Sequence, residues 1–288
     1  MILARSPSEL EPAERAVAIG TFDGVHRGHQ AVIEAARDSG LRSTVVTFEP
    51  HPRLVLGYEV QLLSTWGRRV ELLQELAPDE LLAVEFTPEL SRLAPEEFVA
   101  RVLEPMGTRV VFAGEDFRFG AGRRGDLALL RRLGLEVRPV PLVEGVSSSR
   151  IRELVRAGDV GAAARLLGRP FELEGTVVAG DQRGGTLGFP TANLALDAHL
   201  LVPAYGIYAG AALGTRAAAS IGVNPHYGGS ERRIEAFLLD WRGDLYGRRL
   251  RLELWERLRD ERAFADEDEL VTQIAEDVAA TRAARRPA

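Results

Sequence analysis

Two histidines lie three residues apart, at positions 26 and 29, within the segment GTFDGVHRGH that spans residues 20–29. The segment follows a short apolar run and precedes a stretch with helical periodicity, so we expect it to join a strand to a helix. His26 and His29 then project from about the same side of the first helical turn. Two imidazoles placed there can hydrogen-bond the phosphates of a nucleotide such as ATP and stabilise the charge on a leaving pyrophosphate.

The backbone of this segment also suits a phosphate ligand. Gly24 and Gly28 allow the main chain to approach a ligand closely, and the start of a helix presents N–H groups and a positive dipole end. Nucleotidyl transfer needs no protein nucleophile, because positioning and charge stabilisation supply most of the catalysis. Two solvated histidines, or half of a metal site, are the alternatives. The glycine-containing junction, which holds two of the five histidines in the chain, favours the phosphate role.

Two further segments could complete such a pocket. The serine-rich segment 147–152 opens a helix, where it supplies capping hydroxyls and the charge of Arg152; a plain capped helix is the alternative. The segment GEDFRFG, residues 114–120, follows another expected strand and places polar and aromatic groups at the ligand edge. Packing in the core is the alternative role for Phe117 and Phe119.

Composition narrows the class of protein. The chain has no cysteine, so disulfides, thiolate metal ligands and cysteine nucleophiles are excluded. The formal net charge of −6 argues against a dedicated nucleic-acid binder. All 36 residues of the Lys+Arg count are arginines, so a phosphate must be held by arginine, histidine, backbone N–H groups or a metal. No apolar run has the length of a membrane span, and charges and prolines interrupt the first residues too early for a secretory signal. We therefore expect a cytoplasmic protein without a membrane partner.

The first half of the chain alternates strand and helix signals. Strands are expected at residues 16–20, 43–48, 81–86, 109–113 and 136–140. Helices are expected at residues 30–37, 68–76, 95–103 and 127–133. Strands separated by helices of this length indicate a doubly wound parallel sheet, and we expect this Rossmann-like domain to span residues 1–168.

The pattern changes near residue 168. A short helix over residues 160–167 ends at Gly168, and Pro170 prevents its continuation. Short strands separated by turn residues follow, which predicts a small antiparallel barrel or sandwich in a second domain, residues 169–288. A last helix is expected over residues 267–282, with an apolar stripe of Leu270, Ile274 and Val278.

Together these segments resemble the bifunctional riboflavin kinase/FMN adenylyltransferases of bacteria, also called prokaryotic FAD synthetases. The first half matches through GTFDGVHRGH, TFEPHP, GEDFRFG and SSSRIR. The second half matches through GTLGFPTANL, YGIYAG, SIGVNPHYGG, RIEAFLLD, DLYG and LRDERAF. The motifs cover nearly the whole chain, so the resemblance extends to both expected domains.

The resemblance implies two ATP-dependent reactions. The barrel would phosphorylate riboflavin to FMN, and the N-terminal domain would transfer AMP from a second ATP to FMN, giving FAD and pyrophosphate. His26 and His29 would be catalytic. The further nucleotide-binding residues of the N-terminal site would be Gly20, Phe22, Asp23, Gly24, Gly28, Asp116, Ser148 and Arg152.

For the kinase, the resemblance places Thr191 and Asn193 near Mg²⁺ and the ATP phosphates, with Gly188 and Pro190 in the nucleotide-binding segment. Hard oxygen ligands of this kind suit Mg²⁺. Glu235 would be the general base that takes the proton of the ribityl 5′-hydroxyl. Periodicity alone favours an outward-pointing strand carboxylate at that position.

Some positions depart from the family's pattern. His226 stands where the family usually has threonine, which bears on the kinase, whereas Ser149 replaces threonine but keeps the hydroxyl. Asp116 stands where some members have asparagine, so hydrogen bonding is an alternative to acid–base work there. An adenylyltransferase with an impaired kinase barrel is the alternative function, and a non-catalytic flavin carrier is a third. The expected partners are riboflavin, FMN, FAD and ATP, with no nucleic acid, in a monomer or weak homo-oligomer.

Overall fold

A sheet of six parallel strands forms the centre of the first unit of the chain, Met1–Val60 with Trp66–Ser147. The computed structural model describes residues 1–180, 189–223 and 232–287. The strands of the sheet are β1 (Ile2–Ala4), β2 (Arg15–Ile19), β3 (Arg42–Glu49), β4 (Glu80–Glu85), β5 (Thr108–Gly114) and β6 (Glu136–Val140). Their order across the sheet is β1-β4-β3-β2-β5-β6.

Helices pack on both faces of this sheet. The helices are α1 (Arg27–Arg37), α2 (Pro52–Val55), α3 (Trp66–Glu75), α4 (Pro88–Arg92), α5 (Pro95–Phe98), which a π turn over Val99–Leu103 continues, and α6 (Leu127–Arg132). Short 3₁₀ turns lie at Pro7–Glu9 and Ala121–Arg123. All five residues of β2 are buried. Alternate residues of β2 enter two separate apolar clusters, Val17 and Ile19 on one face and Ala16 and Ala18 on the other. The predicted doubly wound parallel sheet is confirmed.

Strand β1 is the one strand of this sheet that the sequence did not predict. It has only three residues, of which Ala4 alone is buried, so it lacks both the length and the apolar run of a central strand. It pairs with β4 at the edge of the sheet.

A closed antiparallel barrel forms the second unit, Gln61–Thr65 with Ser148–Ala288. Its elements are α7 (Ser148–Arg156), α8 (Val160–Leu167), β7 (Phe171–Val178), β8 (Ala192–Leu196), β9 (Gly206–Ala212), β10 (Thr215–Val223), β11 (Arg232–Leu238), β12 (Arg249–Arg259) and α9 (Glu267–Ala283). The strand order is β10-β11-β8-β7-β12-β9, and β9 closes the barrel by pairing with β10. The structure therefore selects the barrel over the sandwich. Helices α7 and α8 group with the barrel, and the predicted domain boundary at residue 168 stays a prediction.

The final helix, α9, docks largely through polar contacts. The predicted apolar stripe is only half-buried, whereas Asp277 and Thr281 are buried. Arg259 holds Asp277 with a bidentate ion pair, Nε to Oδ1 at 2.9 Å and Nη2 to Oδ2 at 2.7 Å. Arg216 donates to the carbonyl of Thr281 at 2.9 Å, near the end of the helix, where a cation also suits the helix dipole. Arginine side chains thus replace much of the apolar packing that the sequence pattern suggested.

In the part of the chain that the structure describes, no helix combines the length and apolar character needed to cross a bilayer.

Candidate functional site

The loop between β2 and α1 brings the two histidines together. His26 is the N-cap of α1, and its Nδ1 accepts a hydrogen bond from the backbone N–H of His29 at 3.3 Å. The imidazole rings stack with their centroids 3.5 Å apart and their planes 17° from parallel. The expected placement of both rings on one side of the first helical turn is confirmed, and their role on phosphate stays a prediction.

Left-handed backbone conformations shape this loop. Phe22 has φ 50° and Val25 has φ 40°, conformations that cost a residue with a side chain about 1–3 kcal/mol each. Burial of both side chains in the first unit helps to hold them there. Gly24, at φ 77°, occupies a region that favours glycine. The ring of Phe22 meets the ring of His29 edge to face, with centroids 5.3 Å apart, so the loop conformation and the histidine orientation are linked.

The loop lies at the topological switch point of the sheet. From β2 the chain continues to β3 on one side, and β5 lies on the other side of β2. In open α/β sheets, ligands bind at the carboxyl ends of the strands at such a point. Gly20 directly follows β2, and its N–H donates to the Val46 carbonyl of β3 at 3.1 Å. Asp23 is buried in the loop, and Gly28 lies in the first turn of α1.

Asp116 lies in the turn after β5, at the same edge of the sheet. Its side chain is exposed and folds back over the Cα of Gly114. The two aromatic residues of the same segment differ in burial. Phe119 is buried in the core, and Phe117 is half-buried and stacks on it with a centroid distance of 5.6 Å. The nucleotide-binding role of Asp116 stays a prediction.

Ser148 and Arg152 lie in the second unit, on α7. Ser148 is the first residue of that helix, as the serine-rich segment predicted. Arg152 is buried, and its Nε donates to the carbonyl of Gln61 at 2.7 Å. A backbone anchor of this kind fixes the stem of the guanidinium, which has further N–H donors. The nucleotide-binding role of both residues stays a prediction.

A second polar cluster lies on the outer face of the barrel, around Glu235 of β11. Asn193 of β8 is its direct partner in the antiparallel register. The hydroxyl of Thr191 donates to Glu235 Oε2 at 3.2 Å, and Arg233 Nη1 donates to Glu235 Oε1 at 3.1 Å. We call this set of four residues the Glu235 cluster.

Strand periodicity explains where the carboxylate points. Ile234, Ala236 and Leu238 are buried in the barrel core, so Glu235, between them, faces away from that core. Its side chain is nevertheless only 28% exposed. The outward orientation that periodicity favours is therefore compatible with a site, because the neighbouring polar side chains enclose the carboxylate. Pro190 precedes this cluster, and Gly188 and His226 lie outside the described residues.

The donor atoms of the Glu235 cluster fit Mg²⁺. The Thr191 hydroxyl, the Asn193 amide and the Glu235 carboxylate supply hard oxygens. A side chain at Gly180 would overlap the amide of Asn193, so glycine there leaves space for that amide. Within the described ranges, no three histidine, aspartate or glutamate side chains gather as a metal site. Mg²⁺ needs fewer protein ligands, since it keeps waters and binds substrate phosphates.

Sequence reasoning missed Arg233. It lies two residues before Glu235, and side chains two apart on a strand share a face, so the period of two would have pointed to it. It also missed the contact between Phe189 and Phe237, whose ring centroids lie 5.4 Å apart edge to face on the same outer side of the barrel. No pattern in the sequence pairs those two rings, because they come from separate elements.

Comparison with known proteins identifies the family. A family model of FAD synthetase matches residues 8–151, and a family model of riboflavin kinase matches residues 167–285. The bifunctional riboflavin kinase/FMN adenylyltransferase of Escherichia coli (strain K12) is 35% identical over 281 residues, covering 91% of this chain and 90% of the relative. This chain belongs to the family of bifunctional riboflavin kinase/FMN adenylyltransferases.

A second relative and a solved structure are similar to this chain along nearly its whole length. The bifunctional riboflavin kinase/FMN adenylyltransferase of Pseudomonas fluorescens is 38% identical over 313 residues, covering 100% of this chain and 99% of the relative. The crystal structure of a macrolide-efflux protein from Streptococcus pneumoniae superposes with a TM-score of 0.88 at 32% identity and covers 98% of both chains. This chain therefore shares the fold of that structure along nearly its whole length.

Proposed function

We propose that this chain makes FAD from riboflavin in two ATP-dependent steps. The barrel transfers the γ-phosphoryl group of ATP to the ribityl 5′-hydroxyl of riboflavin, giving FMN and ADP. The first unit provides the histidine site at which FMN takes AMP from a second ATP, giving FAD and pyrophosphate. The observation that carries this proposal is that both halves of one chain match, over residues 8–151 and 167–285, and each half holds its own polar cluster.

In adenylyl transfer, a phosphate oxygen of FMN attacks the α-phosphorus of ATP, and the bond to the bridging oxygen of pyrophosphate breaks. Because His26 Nδ1 accepts the His29 N–H, the neutral imidazole of His26 carries its proton on Nε2, which makes Nε2 a donor for a phosphate oxygen. The stacked His29 ring and the start of α1 add donors and a positive dipole end. Asp116, Ser148 and Arg152 are the further nucleotide-binding residues that we propose for this reaction.

In the kinase reaction, Glu235 would accept the proton of the ribityl 5′-hydroxyl as that oxygen attacks the γ-phosphorus. The Thr191 hydroxyl and Arg233 each contact one carboxylate oxygen of Glu235, which fixes the plane of the carboxylate. Thr191 and Asn193 would hold Mg²⁺, which would supply positive charge to the ATP phosphates.

We also propose the finer properties that accompany this chemistry. The partners are the small molecules riboflavin, FMN, FAD and ATP, and the net charge of −6 disfavours a nucleic-acid partner. A cytoplasmic location and a monomeric or weakly oligomeric state are the corresponding proposals.

Two separate reactions test the proposed function. Purified protein with Mg²⁺ and ATP is given riboflavin in one vessel and FMN in the other, and the flavins are resolved by chromatography. Formation of FMN from riboflavin, together with formation of FAD from FMN, supports the proposal. FAD formed from FMN without any FMN formed from riboflavin would instead indicate an adenylyltransferase with an impaired barrel, and flavin binding without turnover would indicate a carrier.

A further inference from the structure

Arg69 of α3 is a fully buried arginine close to the histidine loop. Its side chain is 0% exposed. Removing a guanidinium cation from water costs several kcal/mol unless hydrogen bonds and opposite charges compensate for it. Leu72 and Leu73 of the same helix are also buried, and an aliphatic residue at position 69 could pack beside them equally well. Packing alone therefore does not explain why a charged residue is buried at this position.

The guanidinium of Arg69 joins the carboxyl ends of two neighbouring strands. Its Nη1 donates to the carbonyl of Thr21, just after β2, and to that of Phe48 in β3, both at 3.3 Å. Its Nη2 lies 3.4 Å from the Glu49 carboxylate. Burial lowers the pKa of Arg69, while the negative charges of Asp23 and Glu49 act in the opposite direction. Arg69 thus lies between the histidine loop and the strand beside it.

A comparison with Arg15 shows that the hydrogen-bonding groups of Arg69 are incompletely paired. Arg15 is 1% exposed and donates to Glu80 at 2.7 and 3.1 Å and to the Met106 carbonyl at 2.6 Å. The contacts of Arg69 are longer, and its Nε has no hydrogen-bond partner among the described residues. A buried donor left unpaired costs about 1–3 kcal/mol. An arginine kept in such a position at the ligand edge of a sheet indicates a function other than stability.

The carbonyl of Thr21 links Arg69 to the histidines. That oxygen also accepts a hydrogen bond from the Thr47 hydroxyl at 3.1 Å. The next residue, Phe22, has the left-handed φ of 50°, and its ring edge contacts His29. A strained conformation of this kind persists only where the surroundings over-determine it. Two side-chain donors on the preceding carbonyl supply part of that constraint.

We propose that Arg69 is a positioning residue for adenylyl transfer: it holds the Thr21 carbonyl, and through Phe22 it fixes the imidazole of His29. The proposal rests on the proposed adenylyltransferase function of the first unit. Because a displacement of about 1 Å in a catalytic group can lower a rate about 10²-fold, loss of Arg69 should reduce kcat more than it changes KM. Arg69 itself is buried and is not proposed to touch the substrate.

Kinetics on four variants test the proposal. Arg69→Met keeps the length of the side chain but removes its charge and donors, and we expect kcat for FMN adenylylation to fall about 10²-fold. Arg69→Lys should recover part of that loss, since it restores a cation and a donor. Thr47→Val removes the other donor to Thr21 and should give a smaller loss in the same direction. Arg68→Met is the matched control, because Arg68 pairs with Glu71 and Glu75 of its own helix. We expect it to leave both activities unchanged.

An NMR measurement tests the role of Arg69 independently of enzymatic activity. The chain has five histidines, so the imidazole Cε1–H signals can be assigned by single substitutions. In Arg69→Met the signals of His26 and His29 should move while that of His199 stays, and riboflavin phosphorylation should be unchanged. Unmoved signals of His26 and His29 with an unchanged kcat would overturn the proposal. If Arg69→Met does not fold, unmoved signals in both Arg69→Lys and Thr47→Val overturn it. A wild-type protein that makes no FAD refutes the proposed function, and the NMR shifts still decide the role of Arg69.

Discussion

Replacing Glu235 with glutamine tests the proposed kinase role of the Glu235 cluster with little change in the shape of the side chain. Glutamine retains an oxygen acceptor for Arg233 or Thr191 but cannot take a proton from the substrate. The two contacts at the carboxylate, 3.1 Å to Arg233 and 3.2 Å to Thr191, are partly exposed, so their loss should cost at most about 1 kcal/mol of folding stability. Removing a general base costs about 10²–10⁴-fold in rate. At about 1.36 kcal/mol per tenfold, that loss equals roughly 3–5 kcal/mol in the activation barrier.

The assay follows both activities in one preparation. Glu235→Gln should form FMN from riboflavin about 10²–10⁴-fold more slowly than the wild type. Its formation of FAD from added FMN should be unchanged, because the histidine loop lies in the other unit. Glu256→Gln, which changes an exposed glutamate of β12, is the matched control and should leave both rates unchanged. A kinase rate in Glu235→Gln equal to that of the wild type would refute the general-base assignment. So would an equal loss of both activities in a variant that still folds.

Three further substitutions have expected outcomes. His29→Ala should lower FAD formation from FMN by at least about 10²-fold while FMN formation continues, which chromatography of the flavins would show; equal loss of both would argue against separate sites. Arg15→Met leaves the Glu80 carboxylate buried without its bidentate partner and should cost about 3–5 kcal/mol in urea unfolding of the first unit, an expectation that a loss below about 1 kcal/mol would contradict. Hydrogen bonds from the Ser43 backbone, and then from its hydroxyl, lower the pKa of Asp79, so this stabilisation is present above the ordinary aspartate pKa and is lost as the pH falls through the folded pKa. Ser43→Ala should therefore be less stable than the wild type at neutral pH, with a gap that narrows as the pH falls below about 4 in thermal unfolding; a gap that does not change with pH would refute this.

The parts of the fold that follow local rules could be predicted from the sequence. The β-branched and apolar runs of β2 and β3 predicted buried strands, because a central parallel strand has neighbours on both faces. Strand β8 was not predicted: Pro190 and the short apolar content of Ala192–Leu196 resemble a loop, and the strand is defined by its pairing with β7 and β11. The docking of α9 through Asp277 and Arg259 was also missed, since an ion pair between distant elements leaves no periodic signal.

In the candidate site, too, features set by local spacing could be predicted and features set by long-range packing could not. The placement of His26 and His29 on one side of a helix start follows from their spacing of three residues, so the sequence predicted it, whereas the stacking of their rings was not predicted. The burial of Arg69 could not be predicted, because helix periodicity treats an arginine as a surface residue and only the packing of α3 against two strand ends buries it. The partners of Glu235 likewise come from the barrel register, which depends on how strands far apart in the chain pair.

Phosphate labelling in a single reaction tests the central claim that one chain performs both steps. Riboflavin is incubated with the protein, Mg²⁺ and ATP labelled on either the γ-phosphate or the α-phosphate, and the label in each flavin is counted after chromatography. Two sequential transfers predict that the γ-label enters both FMN and FAD, whereas the α-label enters FAD alone. Absence of the γ-label from every flavin, with FAD formed only when FMN is supplied, would contradict the account.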